Sequence, residues 1–353
     1  MSAVYFIILL TIIVFVHEFG HYYVAKKCGV KIEQFSIGMG KKLFGFTDKN
    51  GVEWKFCLFP IGGYVQMYGD KDASSFGGYS KNPSKEMLKY SLLYKHPAKK
   101  IAIAFAGPFM NFVLAFCLLF FVFFAHGKPV IKPVIGKVLS GSYAEKSGIL
   151  PDDKILSVNG IEVKDFRDMP LLMKNEKMKN EKNDNINLQV LRNNKTLNLK
   201  AQYNIGETFG ISSKIGEVKY EKVGLLNSAK DSCFIIKDIS VKTFKAIYNI
   251  VVHQKGLKSV GGPIAIAKAG AEAGRSGFWA FVFFMAIISV GLGAVNLLPV
   301  PMLDGGHIFV NFIELITRRK FGNLAYKIFV IVGIGFISCL MALGFINDLF
   351  INR

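Results

Sequence analysis

The sequence predicts a polytopic α-helical membrane protein. It has four transmembrane helices, a small membrane-associated β region between the first two, and one inserted soluble α+β domain. Three observations lead there. Apolar residues gather into four blocks, each near the roughly 20 residues that cross about 30 Å of hydrocarbon. Lysine-rich stretches separate the blocks. A long polar segment with strand-and-turn patterning lies between the second block and the third. The hydrophobic total of 51% barely exceeds the roughly 45–50% of soluble chains, so the clustering carries the argument.

The elements follow in order. Residues 1–27 hold the first span, about Ala3 to Ala25. Met1-Ser2-Ala3 supplies no basic n-region and no small-residue cleavage site precedes Lys26, so it reads as a retained helix, not a signal peptide. Residues 28–100 form the β region. Val52 to Leu58 largely alternates, Phe35 to Met39 is a second extended candidate, and Gly62, Gly63 and Gly69 punctuate the rest. These suggest a small sheet at, or dipping into, the membrane, followed by a polar, mobile loop over residues 70–85. The second span is 101–125. Residues 127–205 form the soluble domain, with strands at Val134 to Val138, Lys154 to Val158, Asn187 to Leu191 and Thr196 to Ala201, and turns at Gly141 and Gly160. Its Lys174 to Asn185 stretch, rich in Lys, Asn and Glu, reads as a solvated loop or helix end. Residues 206–276 read as a linker carrying an amphipathic helix near 224–253. Phe244, Ile247, Tyr248 and Val251 share one face there, suited either to a membrane interface or to ordinary packing. The third span and a Gly/Pro loop occupy 277–305, a loop 306–325, and the fourth span 326–350.

The formal charge is +19 and the pI about 9.6. Such a balance suits nucleic acid, an anionic membrane surface or a lysine-rich proteome. No nucleic-acid motif is present, and much of the lysine flanks apolar blocks, which favours the lipid bilayer as partner. Cys28, Cys57, Cys117, Cys233 and Cys339 are scattered without CxxC spacing, so neither a zinc knuckle nor a disulfide framework is indicated. Lys26, Lys27, Lys31, Lys95, Lys99 and Lys100, with Arg318, Arg319 and Lys320, put segments 26–100 and 317–325 in the cytoplasm. The N-terminus and residues 126–276 then face outward.

The chemistry concentrates in two places. His17-Glu18-Phe19-Gly20-His21 is an HExxH pattern. Helix positions i and i+4 share a face, so two imidazoles there can hold one zinc ion while the Glu reaches a water on it. Such polar groups in an apolar helix are costly unless buried and partnered; the alternative is a hydrogen-bonded but inert cluster. Catalytic zinc keeps three protein ligands and an open position. Asp304, in Asn296-Leu297-Leu298-Pro299-Val300-Pro301-Met302-Leu303-Asp304-Gly305-Gly306-His307, is the candidate third ligand. An Asp in such a loop is otherwise a turn former, but non-helical backbone at membrane depth is tolerated where it lines a polar cavity. His307 competes as a ligand or serves structurally.

HEFGH near one end and NLLPVPMLDGG near the other resemble the site-2 protease family of intramembrane metalloproteases. Pro60-Ile61-Gly62-Gly63-Tyr64-Val65, Ala106-Gly107-Pro108-Phe109-Met110-Asn111 and Gly261-Gly262-Pro263-Ile264 agree with it. The resemblance extends to the bacterial branch with an extracytoplasmic PDZ domain, typified by the regulator-of-sigma-E protease: residues 136–160 resemble a PDZ core, except that Asp152 stands where that family usually has Gly. The resemblance implies His17, His21 and Asp304 as ligands of one catalytic zinc, Glu18 as general base and acid, and Asn296 as a holder of substrate backbone. Asn111 packs the second helix beside the first or joins the chemistry. It also implies a multi-pass protein of the bacterial inner membrane, active near the cytoplasmic face, with single-pass membrane proteins such as anti-sigma factors or remnant signal peptides as substrates. The PDZ-like domain then faces outward, as peptide binder or as steric filter. The rival classes are an inert membrane PDZ adaptor, against which the intact motif residues argue, and a zinc-bearing transporter, which would show inverted repeats.

Overall fold

The computed structural model describes residues 2–69, 83–173, 184–203, 208–214, 218–253, 256–257 and 261–351. Most of the 70–85 loop, and residues 174–183 of the Lys/Asn/Glu run, lie outside the described residues. The chain divides into two compact units, residues 1–122 with 225–353, and residues 123–224.

The first unit opens with α1 (Ser2–Lys27), an apolar run. It ends at Gly29 (φ 74°), where the amide of Val30 donates to Ala25 O at 3.0 Å. This left-handed glycine cap turns the chain into β1 (Ile32–Thr47), which pairs with β2 (Glu53–Met67). Each of Gln34, Phe35, Ser36 and Ile37 has two partners, one in residues 63–66 and one in residues 53–56. Both strands therefore bend, β1 at Gly38 and Gly40 and β2 at Gly62, all at positive φ. α2 (Lys85–Tyr90) and a 3₁₀ turn, Leu92–Tyr94, lead into α3 (Pro97–Ala125), which contains Pro108.

The second unit carries β3 (Lys128–Ile131), β4 (Ile135–Val138), α4 (Tyr143–Lys146), β5 (Lys154–Val158) and β6 (Ile161–Glu162). A 3₁₀ turn, Phe166–Asp168, then precedes α5 (Met169–Met173), β7 (Asp184–Arg192), β8 (Lys195–Tyr203), β9 (Ile211–Ser213) and β10 (Val218–Glu221). Its largest sheet has the order β6-β5-β7-β8, while β4 pairs with β9 and β3 with β10. Asn159 and Gly160, both at positive φ, form the two-residue turn that right-twisted hairpins prefer. Ile155, Val158, Ile186, Val190 and Ala201 are fully buried in one core with Ala144 of α4. Asp152 has φ 69°, the left-handed region where glycine is free of strain.

The first unit resumes with α6 (Leu225–His253), α7 (Pro263–Arg275), α8 (Phe278–Asn296), α9 (Asp304–Thr317) and α10 (Asn323–Ile346), closed by a π turn, Asn347–Ile351. Among the described residues, four helices are long and apolar enough to cross a membrane: Val4–Lys27, Pro97–Ala125, Phe278–Asn296 and Lys327–Phe350. Leu9 and Ile13 of α1 are buried against Phe281 and Met285 of α8, with Leu114 and Leu118 of α3 around them. At the other end of α1, Tyr22 and Ala25 pack with Phe35 and Met67 of the sheet, Val52 just before β2, and Ile103 of α3. Glycines let these helices close: a Cβ on Gly20 would collide with the Ala106 carbonyl, and one on Gly274 of α7 with the Tyr5 ring.

Two expected loops need correction. Residues 206–276 are not a linker with one helix. β9 and β10 complete sheets of the second unit through pairing with β4 and β3, and α7 follows α6. α7 starts where the amides of Gly262, Ile264 and Ala265 donate to the Asp348 carboxylate at 2.9, 3.0 and 3.1 Å. That cap comes from a residue far along the chain. Segment 306–325 is likewise not all loop, because α9 runs to Thr317 and ends at Arg318 in the left-handed region (φ 53°).

An ion pair with a fully buried carboxylate lies in the second unit. The Asp153 side chain is fully buried and takes two bonds from Arg192, Nε to Oδ1 and Nη2 to Oδ2, both at 2.7 Å. Burial opposes its charge, but the Arg192 guanidinium and the Leu150 amide outweigh burial and hold the carboxyl below its usual range. Arg192→Met leaves that charge uncompensated and should destabilise the unit by about 3–5 kcal/mol, read as a lower melting temperature of the unit. Because the folded value lies below the unfolded one, the pair's contribution is complete above the ordinary carboxylate pKa. It should fade as pH falls through the folded value, so an acid titration should show less pH dependence in Asp153→Asn than in the wild type.

Candidate metal centre

His17 and His21 sit one turn apart on α1, both 9% exposed. Asp304 occupies the first turn of α9. The chain reaches it from α8 through a tight reversal: Val300 N donates to Leu298 O at 2.7 Å and Leu303 N to Val300 O at 3.2 Å, with Met302 at φ 73°. Gly305 and Gly306 make the reversal feasible, since a Cβ on either would strike the carbonyls of Leu297, Leu298 or Val300. Pro301 is wedged beneath against Gly333 of α10, where a Cβ would also collide.

Three donors converge. His17 Nε2 lies 3.2 Å from Asp304 Oδ2, His21 Nε2 3.3 Å from Asp304 Oδ1, and the two Nε2 atoms are 3.3 Å apart. Ligands at about 2.0–2.1 Å from a tetrahedral zinc stand roughly 3.3 Å from one another; the separation of the two imidazole nitrogens matches that edge, and each imidazole faces its own oxygen of the Asp304 carboxylate at a similar distance. Among the described residues, His17, His21 and Asp304 are the group of metal-ligating side chains close enough to share one ion. His307, one turn into α9, is not part of it.

α3 backs the two rings. His21 Nδ1 donates to the Ile103 carbonyl at 2.8 Å, and His17 Nδ1 stands 3.1 Å from Asn111 Nδ2. Between them lies Gly107, where a Cβ would collide with the His21 ring and come within 2.9 Å of His17 Cε1. Glu18 lies on the neighbouring face of α1, half-buried, and its Cγ would be 3.2 Å from a Cβ placed on Gly63 of β2. Asn296 is the last residue of α8. No hydrogen bond among the described residues joins its side chain to the three donors.

The structure thus brings together His17, His21 and Asp304, sets Glu18 beside them against β2, and leaves Asn296 at the helix end before the reversal. The sequence reading had no role for Gly107, Gly63 or the Ile103 carbonyl. The glycines stood in quoted motifs, but the space they free is visible only once helix and strand are packed. A backbone carbonyl carries no residue signature at all.

These donors stand in a chain that has, among its described residues, four helices apolar enough to cross a membrane. Residues 5–340 match the family described as Peptidase family M50. The chain is 34% identical to a provisionally named zinc metalloprotease of Rickettsia conorii, over 99% of this chain and 98% of the relative. Provisionally named zinc metalloproteases of Rhizobium meliloti (33% identical; 98% and 95% covered) and Campylobacter jejuni (32%; 97% and 92%) are similar throughout. The chain belongs to peptidase family M50, the site-2 protease family of zinc metalloproteases.

Gly107→Ala should push the His21 ring off the shared point and strip bound zinc, measured as metal per chain after purification. Gly335→Ala, where a Cβ meets nothing within 4 Å, should keep it.

Proposed function

We propose that this protein hydrolyses peptide bonds within the transmembrane segments of single-pass membrane proteins, using one zinc ion held by His17, His21 and Asp304. The convergence of the His17 and His21 Nε2 atoms, 3.3 Å apart, on the two oxygens of the Asp304 carboxylate at 3.2 and 3.3 Å is the observation that carries this reading. The donor set fits zinc, with two imidazoles and one carboxylate and an open fourth position. Bound there, zinc supplies Lewis acidity toward a peptide carbonyl and acidifies water toward a pKa of about 7.

The chain's own residues do the rest. The Glu18 carboxylate takes a proton from the attacking water and delivers it to the leaving amide nitrogen, so one carboxylate serves as base and then as acid. Its place beside Gly63 supports this role, because the missing Cβ leaves room next to the carboxylate. A substrate helix must unwind before its peptide bonds are open to attack. Residues 63–67 of β2 pair with β1 on one side, and no strand among the described residues pairs with the other. That free edge can receive an extended segment by strand addition, and it runs past Glu18. Asn296 would hold substrate backbone at the same mouth. Met39, Leu43, Phe44, Phe46 and Phe59 are each more than half exposed at the bent end of the sheet, which supports its immersion in lipid.

The basic residues around the helix ends support a bacterial inner-membrane orientation with the site near the cytoplasmic face and the N-terminus outside. Residues 123–224 would then be an extracytoplasmic, PDZ-like domain. Its β5–β6 turn and the helix at Tyr143–Lys146 support that likeness, and a peptide terminus is its expected ligand. Regulated proteolysis of anti-sigma-factor or remnant signal-peptide substrates is the corresponding role.

Glu18→Gln should retain zinc yet lose cleavage of a transmembrane reporter; continued cleavage contradicts its role. Asp304→Asn should purify with less zinc than wild type, and undiminished metal counts against ligation. Membrane peptides that accumulate in Glu18→Gln cells, identified by proteomics, should be single-pass segments.

A further inference from the structure

α3 presents Ile103, Gly107 and Asn111 to the two imidazoles, four residues apart and so on one face. At one end the arrangement is complete. A carbonyl can only accept, so the Ile103 contact puts the hydrogen of neutral His21 on Nδ1 and leaves a lone pair on Nε2, facing Asp304.

The other end is incomplete as drawn. Asn111 is fully buried. Its Nδ2 faces His17 Nδ1 at 3.1 Å, while its Oδ1 is buried without a hydrogen-bond partner. An amide N–H donating to Nδ1 would force the His17 hydrogen onto Nε2, between His21 and Asp304, where it blocks the lone pair. Half a turn of the amide exchanges two atoms of nearly equal size. Oδ1 then accepts from Nδ1–H, the orphaned acceptor gains a donor, and both histidines adopt one tautomer with both Nε2 lone pairs converging.

We infer that Asn111 is the positioning residue for His17: its Oδ1 holds Nδ1–H and thereby aims Nε2 at the metal, as the Ile103 carbonyl does for His21. The inference rests on zinc ligation by His17. α8 braces the residue from behind. Ser289 Oγ donates to the main-chain carbonyl of Asn111 at 2.8 Å, and Gly293 leaves room where a Cβ would stand 3.3 Å from the Asn111 Cβ. α8 thus holds the backbone from which this side chain reaches the ring.

The test is zinc affinity of the full-length protein in detergent, by competition with a chelator, with thermal unfolding of each metal-free variant as a folding control. Asn111→Leu keeps the volume and removes the acceptor; it should bind zinc about 10–100-fold more weakly, as expected when such an outer partner is lost. Asn111→Asp offers oxygen on both branches and should bind zinc at least as tightly as wild type. Wild-type affinity in the Leu variant overturns the inference, and so does a loss in the Asp variant. The Asp variant decides alone if the Leu variant does not accumulate. His17→Ala separates the two claims: retained zinc there refutes ligation by His17, whereas lost zinc with an unaffected Leu variant refutes only the role of Asn111.

Discussion

Three polar donors must meet at one point inside a helix packing that is otherwise apolar, and most of the first unit can be read as the means of achieving it. An imidazole or carboxylate in such surroundings costs free energy unless its polar atoms are partnered. α1 supplies two donors at helical spacing, yet it cannot supply the third, because the donors' open side faces away from its own backbone. The third comes from the far end of the chain, through a reversal that only Gly305 and Gly306 allow.

Close approach is the recurrent device. Without a strong hydrophobic drive between helices in lipid, contact depends on small residues that let backbones touch. Gly20 seats α3 on α1, Gly107 admits the imidazoles, Gly293 admits Asn111, and Gly333 admits Pro301 beneath the reversal. Each removes a side chain from a place where a functional group or a carbonyl must stand. Pro108 adds to this. It withdraws from the α3 ladder the amide that would meet the Ala104 carbonyl, one residue beyond the Ile103 carbonyl that accepts from His21.

Much of this was legible in residues 17–21 and 296–307. A period of four with His at both ends marks one helix face, and an Asp among Gly and Pro beside an apolar block is conspicuous. The four spans were legible for the same reason, since length and composition alone define them. What stayed hidden was long-range. α7 is short and rich in Ala and Gly, and its start depends on the Asp348 carboxylate. α9 begins with the glycine pair that read as a loop. β1 was seen only in fragments, because Gly38, Gly40 and Gly45 resemble turn signals although the strand bends through them. The edges of the second unit were misjudged because β9 and β10 find their partners some 80 residues upstream.

The zinc K-edge absorption spectrum of the purified, zinc-loaded protein tests the centre most directly. Two imidazole nitrogens and carboxylate or water oxygens at about 2.0–2.2 Å are predicted, with the imidazole contribution halved in His21→Ala. Sulfur at about 2.3 Å, or an imidazole contribution unchanged in that variant, would contradict a site built from His17, His21 and Asp304.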